Sequence, residues 1–174
     1  SLLETARREA AAHELGRRSL NILGLVESAV ACSSAAARSS NLDLQVQVSP
    51  DLPQPRGDLA QVQRVLDNLL DNAISYTPSG GCILITARPA NGEVQISVTD
   101  TGPGVPAEYR QAIFERFVRL PDAKLRRHGL GLGLYFCRQV VQAHGGRIWV
   151  EPGPGNVGSR FVFTLPVDKE PSNA

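Results

Sequence analysis

Three short stretches carry side chains whose types and spacing could do chemistry. In LDNLLDNAISYTP (66–78), Asn68 and Asn72 stand four residues apart, so on a helix both amides project from one face. An amide carbonyl is a neutral, hard oxygen donor, suited to a Mg²⁺ that already carries phosphate ligands. In VTDTGPGVP (98–106), Asp100 ends an alternating run and faces a turn where Gly102 and Gly104 let the backbone approach a ligand closely. A buried carboxylate there accepts from an exocyclic amine, as on adenine. A purine carbonyl in that place would set acceptor against acceptor, at a cost of about 1–3 kcal/mol. In HGLGLGL (128–134), Gly129, Gly131 and Gly133 flank Leu130 and Leu132 at the entry of a helix. Bare backbone N–H groups at a helix N-terminus favour anions. The pattern is neither G-x-G-x-x-G nor a P-loop, which needs Gly-Lys-Ser/Thr. Taken singly, each stretch also has an ordinary explanation: a solvated helix face, a turn, a helix start.

The elements that must position these residues follow from periodicity. Residues 1–40 hold no Pro and are rich in Ala, Arg and Glu. Leu15, Ser19, Ile22, Val26 and Val30 recur at three- and four-residue steps, which predicts one continuous amphipathic helix. LDLQVQV (42–48) alternates as a strand does, and PDLPQPRG (50–57) reads as a loop. Asp58 is placed as the N-cap of a helix with Leu59, Val62, Leu66, Leu69, Ala73 and Ile74 inward, closed by PSGG at 78–81. CILITAR (82–88) and EVQISVTD (93–100) flank Ala90-Asn91-Gly92, a hairpin signal. A short helix over about 107–113 leads to FERF; residues 118–130 read as a loop carrying Arg119, Lys124, Arg126 and Arg127. GLGLYFCRQVVQAHGG (131–146) is a helix with a Gly cap, and RIWVE with SRFVFTLP forms a last hairpin. The tail, 168–174, is polar. Strands and helices interleave with hairpins, so the expected class is α/β: a mixed sheet with helices on one face, preceded by an N-terminal helix.

Bulk properties narrow the class of function. The 174 residues suit one domain with something appended, and 42% hydrophobic residues supply a core. A net charge of +1 points away from nucleic acid and from a charged membrane surface. No apolar run approaches the ~20 residues of a membrane span. Three cysteines without metal-like spacing fit reduced thiols, so a cytoplasmic setting is expected, with the parent protein free to be membrane-anchored. An opening inside a helical pattern, without Met, points to a piece of a longer protein.

A metal-binding helix, an adenine acceptor and a phosphate cradle are the parts of an ATP site. NLLDNAISYTP resembles the N box of sensor histidine kinases, DTGPGVP their first glycine box, FERF the phenylalanine box and GLGLGL the second glycine box. The resemblance covers roughly residues 42–166, in family order. It implies the two-layer α/β sandwich of the Bergerat ATP-binding fold, with ATP between the N-box helix and a lid. It further implies that Asn72 coordinates Mg²⁺, that Asn68 supports metal or phosphates, and that Asp100 holds the adenine amine. Gly102 and Gly104 would shape the pocket, with Tyr76 against the base. Gly129, Gly131, Leu132 and Gly133 would fold around the phosphates, with Phe114 and Phe117 at the lid's base. One departure stands out: the family often has a basic residue three after the metal Asn, and here Ser75 takes that place. Arg116, Lys124, Arg126 or Arg127 would then supply the charge.

The implied activity is transfer of the γ-phosphoryl group of ATP to a histidine on a dimerisation hairpin, and onward to an Asp of a response-regulator receiver domain. The alternatives are a nucleotide-gated interaction module and an ATPase of the same superfamily. Related ATPases resemble one another in placing a water-activating Glu where Asn68 stands, and an amide has no basic lone pair at neutral pH. His13, in HELGRR, agrees with the family's acceptor motif for three positions and then departs. With one continuous helix after it, His13 sits on the hairpin's second helix, so the acceptor is expected upstream of Ser1. Residues 1–40 are thus expected to be hairpin and linker, and 41–167 the catalytic unit. The fragment would be a monomer or weak dimer, from a homodimeric parent.

Overall fold

A computed structural model describes residues 2–118, 120 and 132–167, with only the backbone of 9–15. Seven strands and four α-helices follow in chain order among them. Helix α1 (Leu2–Gly16) gives way to strand β1 (Arg17–Ser19), and helix α2 (Ile22–Ser39) follows. The continuous helix expected over 1–40 is therefore broken. Gly16 ends α1, β1 pairs antiparallel with β3 (Arg56–Asp58), and Asn21 restarts the helix by accepting from the Gly24 amide at 3.1 Å. The expected loop at 50–57 likewise ends in β3, a strand that exists only through this remote pairing.

The main sheet has the order β2-β4-β5-β7-β6, with β2 (Asp43–Val48), β4 (Cys82–Ala90), β5 (Glu93–Asp100), β6 (Ile148–Pro152) and β7 (Ser159–Pro166). Only β2 runs parallel to its neighbour, because α3 (Leu59–Tyr76) crosses between β2 and β4. The β4–β5 turn is set by Asn91 (φ 45°) and Gly92 (φ 76°), both left-handed, as a two-residue primed turn requires. Alternate residues Ile83, Ile85 and Ala87, Val94, Ile96 and Val98, and Phe161, Phe163 and Leu165 are buried beneath the helices. The predicted short helix at 107–113 is two 3-10 turns, Ala107–Tyr109 and Ala112–Phe114. Helix α4 (Gly133–Ala143) completes the helical layer. The result is an α/β sandwich with a mixed sheet, as the sequence predicts.

Helix α2 belongs to this core. Leu20, Ile22, Leu25, Val26, Ala29 and Ala37 are buried with the residues of α3 and the sheet. On α3 the buried set is Val62, Val65, Leu66, Leu69, Leu70 and Ala73, whereas Leu59, expected inward, is 41% exposed beside its cap. Asp58 caps α3 as expected, accepting from the Gln61 amide at 3.1 Å, an interaction worth about 1 kcal/mol.

The ends of α3 and α4 are tied together. The Asp58 amide donates to His144 Nε2 at 3.0 Å, so Nδ1 carries the proton and donates to the Val140 carbonyl at 2.7 Å. His144 is thus the C-cap of α4 and a neutral clamp on the start of α3. One Arg17 guanidinium nitrogen reaches the Ala143 carbonyl at 2.8 Å, adding a cation to the same helix end.

Candidate functional site

The register of α3 against α4 follows from two contacts. Asp58 meets His144, and the Cys137 thiol lies 3.7 Å from the Val65 carbonyl. Seven residues separate the two contacts on each helix, so the helices run antiparallel in step. The next turn brings Leu69 level with Gly133, the first residue of α4. Asn68 and Asn72, both half-buried, therefore bracket the point where α4 begins. Burial pushes the Cys137 thiol up to about 12, which keeps it protonated beneath this face; the Asn68 side chain beside it partly opposes that shift.

Beyond the C-terminal end of α3 lies the Asp100 pocket. Asp100 is 5% exposed. Its Oδ1 accepts from the Gly102 amide at 2.9 Å and from the Ser159 amide at 3.3 Å. Burial raises its carboxyl above the ordinary value, and these two amide bonds partly offset the shift. With Oδ1 committed to the backbone, Oδ2 is the atom left to meet a ligand. The walls are tight at Gly102 and closed to a side chain at Gly158. A Cβ on Gly102 would stand 3.1 Å from the Tyr76 carbonyl oxygen, and one on Gly158 would reach the Asp100 carbonyl oxygen at 1.8 Å. Gly104 (φ +78°) and Gly158 (φ +68°) also hold left-handed backbone. A rigid, donor-fixed carboxylate in a glycine-walled pocket suits the amine edge of a flat base.

Helix α4 presents its N-terminus on the same side. Leu132, at the N-cap, makes no side-chain cap bond and is 38% exposed. Among the described residues, a Cβ at Gly133 would meet nothing within 4 Å. Among the described residues no cluster of three or more His, Cys, Asp or Glu exists that could cage a metal. The neutral Asn68 and Asn72 amide oxygens fit a Mg²⁺ that would arrive with its own phosphate ligands.

Not every expected residue is placed alike. Tyr76 borders the pocket with its backbone, its carbonyl packing on Gly102. Phe114 is buried edge-on against Phe161 at 6.2 Å, but Phe117 is 65% exposed and left-handed (φ 61°), and so does not pack at a base. Arg116 donates to the Tyr135 hydroxyl at 2.9 Å rather than standing free. Lys124, Arg126, Arg127, His128, Gly129 and Gly131 lie outside the described residues. Sequence reasoning overlooked Gly158 and Ser159. The signal for Gly158 is the glycine-rich PGPGNVGS run; the Ser159 amide has no side-chain signature at all.

Comparison with known proteins places the chain in a family. Residues 57–169 match the family described as histidine kinase-, DNA gyrase B- and HSP90-like ATPase. The adaptive-response sensory kinase SasA of Synechococcus sp. (strain JA-2-3B'a(2-13)) is 41% identical over 169 residues, 95% of this chain and 44% of the relative. SasA of Thermosynechococcus vestitus is 49% identical over 118 residues, 67% of this chain and 30% of the relative. The chain thus spans less than half the length of the curated relatives it matches. The nucleotide-free catalytic domain of histidine kinase ThkA superposes with a TM-score of 0.76 at 30% identity, over 86% of this chain and 97% of that one. ThkA in complex with response regulator TrrA gives 0.74 at 28% identity, over 99% and 48%. The chain belongs to the histidine kinase-, DNA gyrase B- and HSP90-like ATPase family, and within it to the ATP-binding domains of sensor histidine kinases.

Proposed function

We propose that this chain is the catalytic half of a cytoplasmic histidine kinase module, which transfers the γ-phosphoryl group of ATP to a histidine on a dimerisation hairpin. The observation that carries the reading is the convergence of three donor types around one cleft. These are the Asp100 carboxylate, the paired Asn68 and Asn72 amides, and the uncapped start of α4. Asp100 Oδ2 accepts from the adenine amine while Gly102, Gly104 and Gly158 admit the ring. The first amides of α4, at Leu132 and Gly133, meet the phosphates. Asn72 would hold Mg²⁺ through its carbonyl oxygen, with Asn68 in support, and the ion would supply charge to offset the phosphates.

The transfer itself forms a bond from the imidazole nitrogen to the γ-phosphorus and breaks the bond to the bridging oxygen, which leaves on ADP. Such a step is mostly positioning and charge neutralisation, and it asks for no water-activating base. Asn68 offers none, which favours transfer over hydrolysis. The phosphoryl group then passes to an Asp of a receiver domain, in keeping with the regulator complex formed by ThkA. We place the start of the catalytic unit at Arg17, where β1 joins the core, rather than at residue 41. Helix α1 is then the end of the hairpin, with His13 one turn before its close and no further helix of the hairpin after it. The acceptor belongs upstream, and the parent protein pairs through that hairpin. Residues 168–174, expected as a polar tail, lie outside the described residues. Lys124, expected at the phosphate end, lies outside the described residues, and Arg116 stands on Tyr135 at the start of α4.

The test is incubation of the chain with Mg²⁺ and γ-labelled ATP, following binding and acid-labile, alkali-stable label. Binding without label is expected, with label appearing on an added upstream hairpin. Label on the chain itself, lost in His13→Gln, would move the acceptor to His13. A folded sample that binds no nucleotide would sink the kinase reading.

A further inference from the structure

The first turn of α4 carries two consecutive aromatic residues, and each is met by a guanidinium from a different element. Arg64, on α3 one turn before Asn68, stands with Cζ 4.0 Å from the centroid of the Phe136 ring. Arg116 follows the 3-10 turn that Phe114 anchors on Phe161. Its Cζ lies 4.7 Å from the Tyr135 centroid, and it bonds the Tyr135 hydroxyl at 2.9 Å. Arg138, one turn along α4, adds a third cation 5.7 Å from the same ring. Neighbouring helix residues point about 100° apart, so these contacts hold the turn from two directions. Among the described residues that turn has no side-chain cap, and a helix end without one frays unless something else fixes it.

We propose that Arg64 and Arg116 are positioning residues for the phosphate end of the nucleotide, gripping Phe136 and Tyr135 so that the free amides of α4 stay aimed beside Asn68 and Asn72. The inference rests on the ATP reading of the site. Both arginines act through α4, and neither needs to touch the nucleotide.

A positioning role separates ligands that a general loss of stability does not. Titration calorimetry of the whole chain would compare adenosine, ADP and MgATP across the wild type, Arg64→Met, Arg116→Met, the double variant and Tyr135→Phe. Each single Met variant is expected to weaken ADP and MgATP by roughly three- to tenfold, and the double variant by more, with adenosine unchanged within about twofold. Tyr135→Phe keeps the stacked ring and loses only the hydroxyl, so a loss of about two- to threefold is expected for the phosphorylated ligands alone. It also serves if the double variant does not fold. Phosphorylated ligands bound as tightly as by the wild type would overturn the proposal. So would a parallel loss of all three ligands, which marks damage to the fold. Failure of the wild type to bind any of them would instead refute the ATP reading itself.

Discussion

Replacing Asp100 by Asn isolates the chemistry of the base pocket. Oδ1 accepts two backbone amides, at 2.9 and 3.3 Å, so the new side chain must keep its carbonyl oxygen there. The NH₂ group then takes the place of Oδ2, where the adenine amine arrives, and donor faces donor. Losing a charge-assisted acceptor removes about 1.5–3 kcal/mol, and leaving a buried donor unmet adds about 1–3. The sum, about 2.5–6 kcal/mol, raises the Kd for ATP by roughly fiftyfold or more. Stability should move the other way. Burial holds the Asp100 carboxyl above its ordinary value, so the charged form is costly in the unligated protein. An uncharged isostere should leave the melting temperature equal or higher. Calorimetric titration with ATP and GTP, beside thermal melts without ligand, reads both effects. The gap between the two nucleotides should narrow, because the Asn amide can donate to a purine carbonyl. An ATP affinity within about threefold of the wild type, at an unchanged melting temperature, would refute the reasoning.

The same carboxyl yields a pH dependence of opposite sign for folding and for binding. Its native value is raised, so between the ordinary 3.8 and that raised value the folded chain holds a proton that the unfolded chain has released. Its contribution to unligated stability therefore declines as pH rises through this window. On the proposed reading adenine binding needs the carboxylate and should weaken as pH falls through the raised value; ADP titrations and melts at matched pH check both slopes. At the other end of the molecule, His144→Ala removes the acceptor of the Asp58 amide and the donor to Val140, at a cost of about 2–3 kcal/mol. A drop in melting temperature of roughly 5–10 °C is expected; a change under about 2 °C would show that the clamp contributes nothing.

Much of this was readable from residue order, and the exceptions share a cause. The Asn91–Gly92 turn, the Asp58 cap and the alternation of β4 and β5 are local signals, and each appears where the sequence places it. So do the Asp100 turn and the paired Asn residues of α3. The break after Gly16 was not legible, because Ala-rich helical sequence surrounds it. What overrides local propensity there is pairing with Arg56–Asp58, some forty residues away. Ser159 contributes through its amide, which every residue but proline owns. Phe117 fits a packing role by type alone, and only the backbone at φ 61° reveals that it turns outward. Tyr135 and Phe136 look like core aromatics until Arg64 and Arg116 are seen upon them.

The contacts that complete the cleft also join distant parts of the chain. Ser159 reaches Asp100 across 59 residues, His144 reaches Asp58 across 86, and Arg17 reaches Ala143 across 126. Each closes a loop whose entropy must be surrendered before the contact returns anything. The pocket therefore depends on β7 being docked on β5 and on α4 being docked on α3. A nucleotide that binds only the finished cleft stabilises every one of those closures at once. Trimming the chain at residue 41 would remove Leu20, Ile22, Leu25 and Val26 from the core. It would also open the longest of these loops, so the linker to the hairpin is a folding requirement of the cleft it serves.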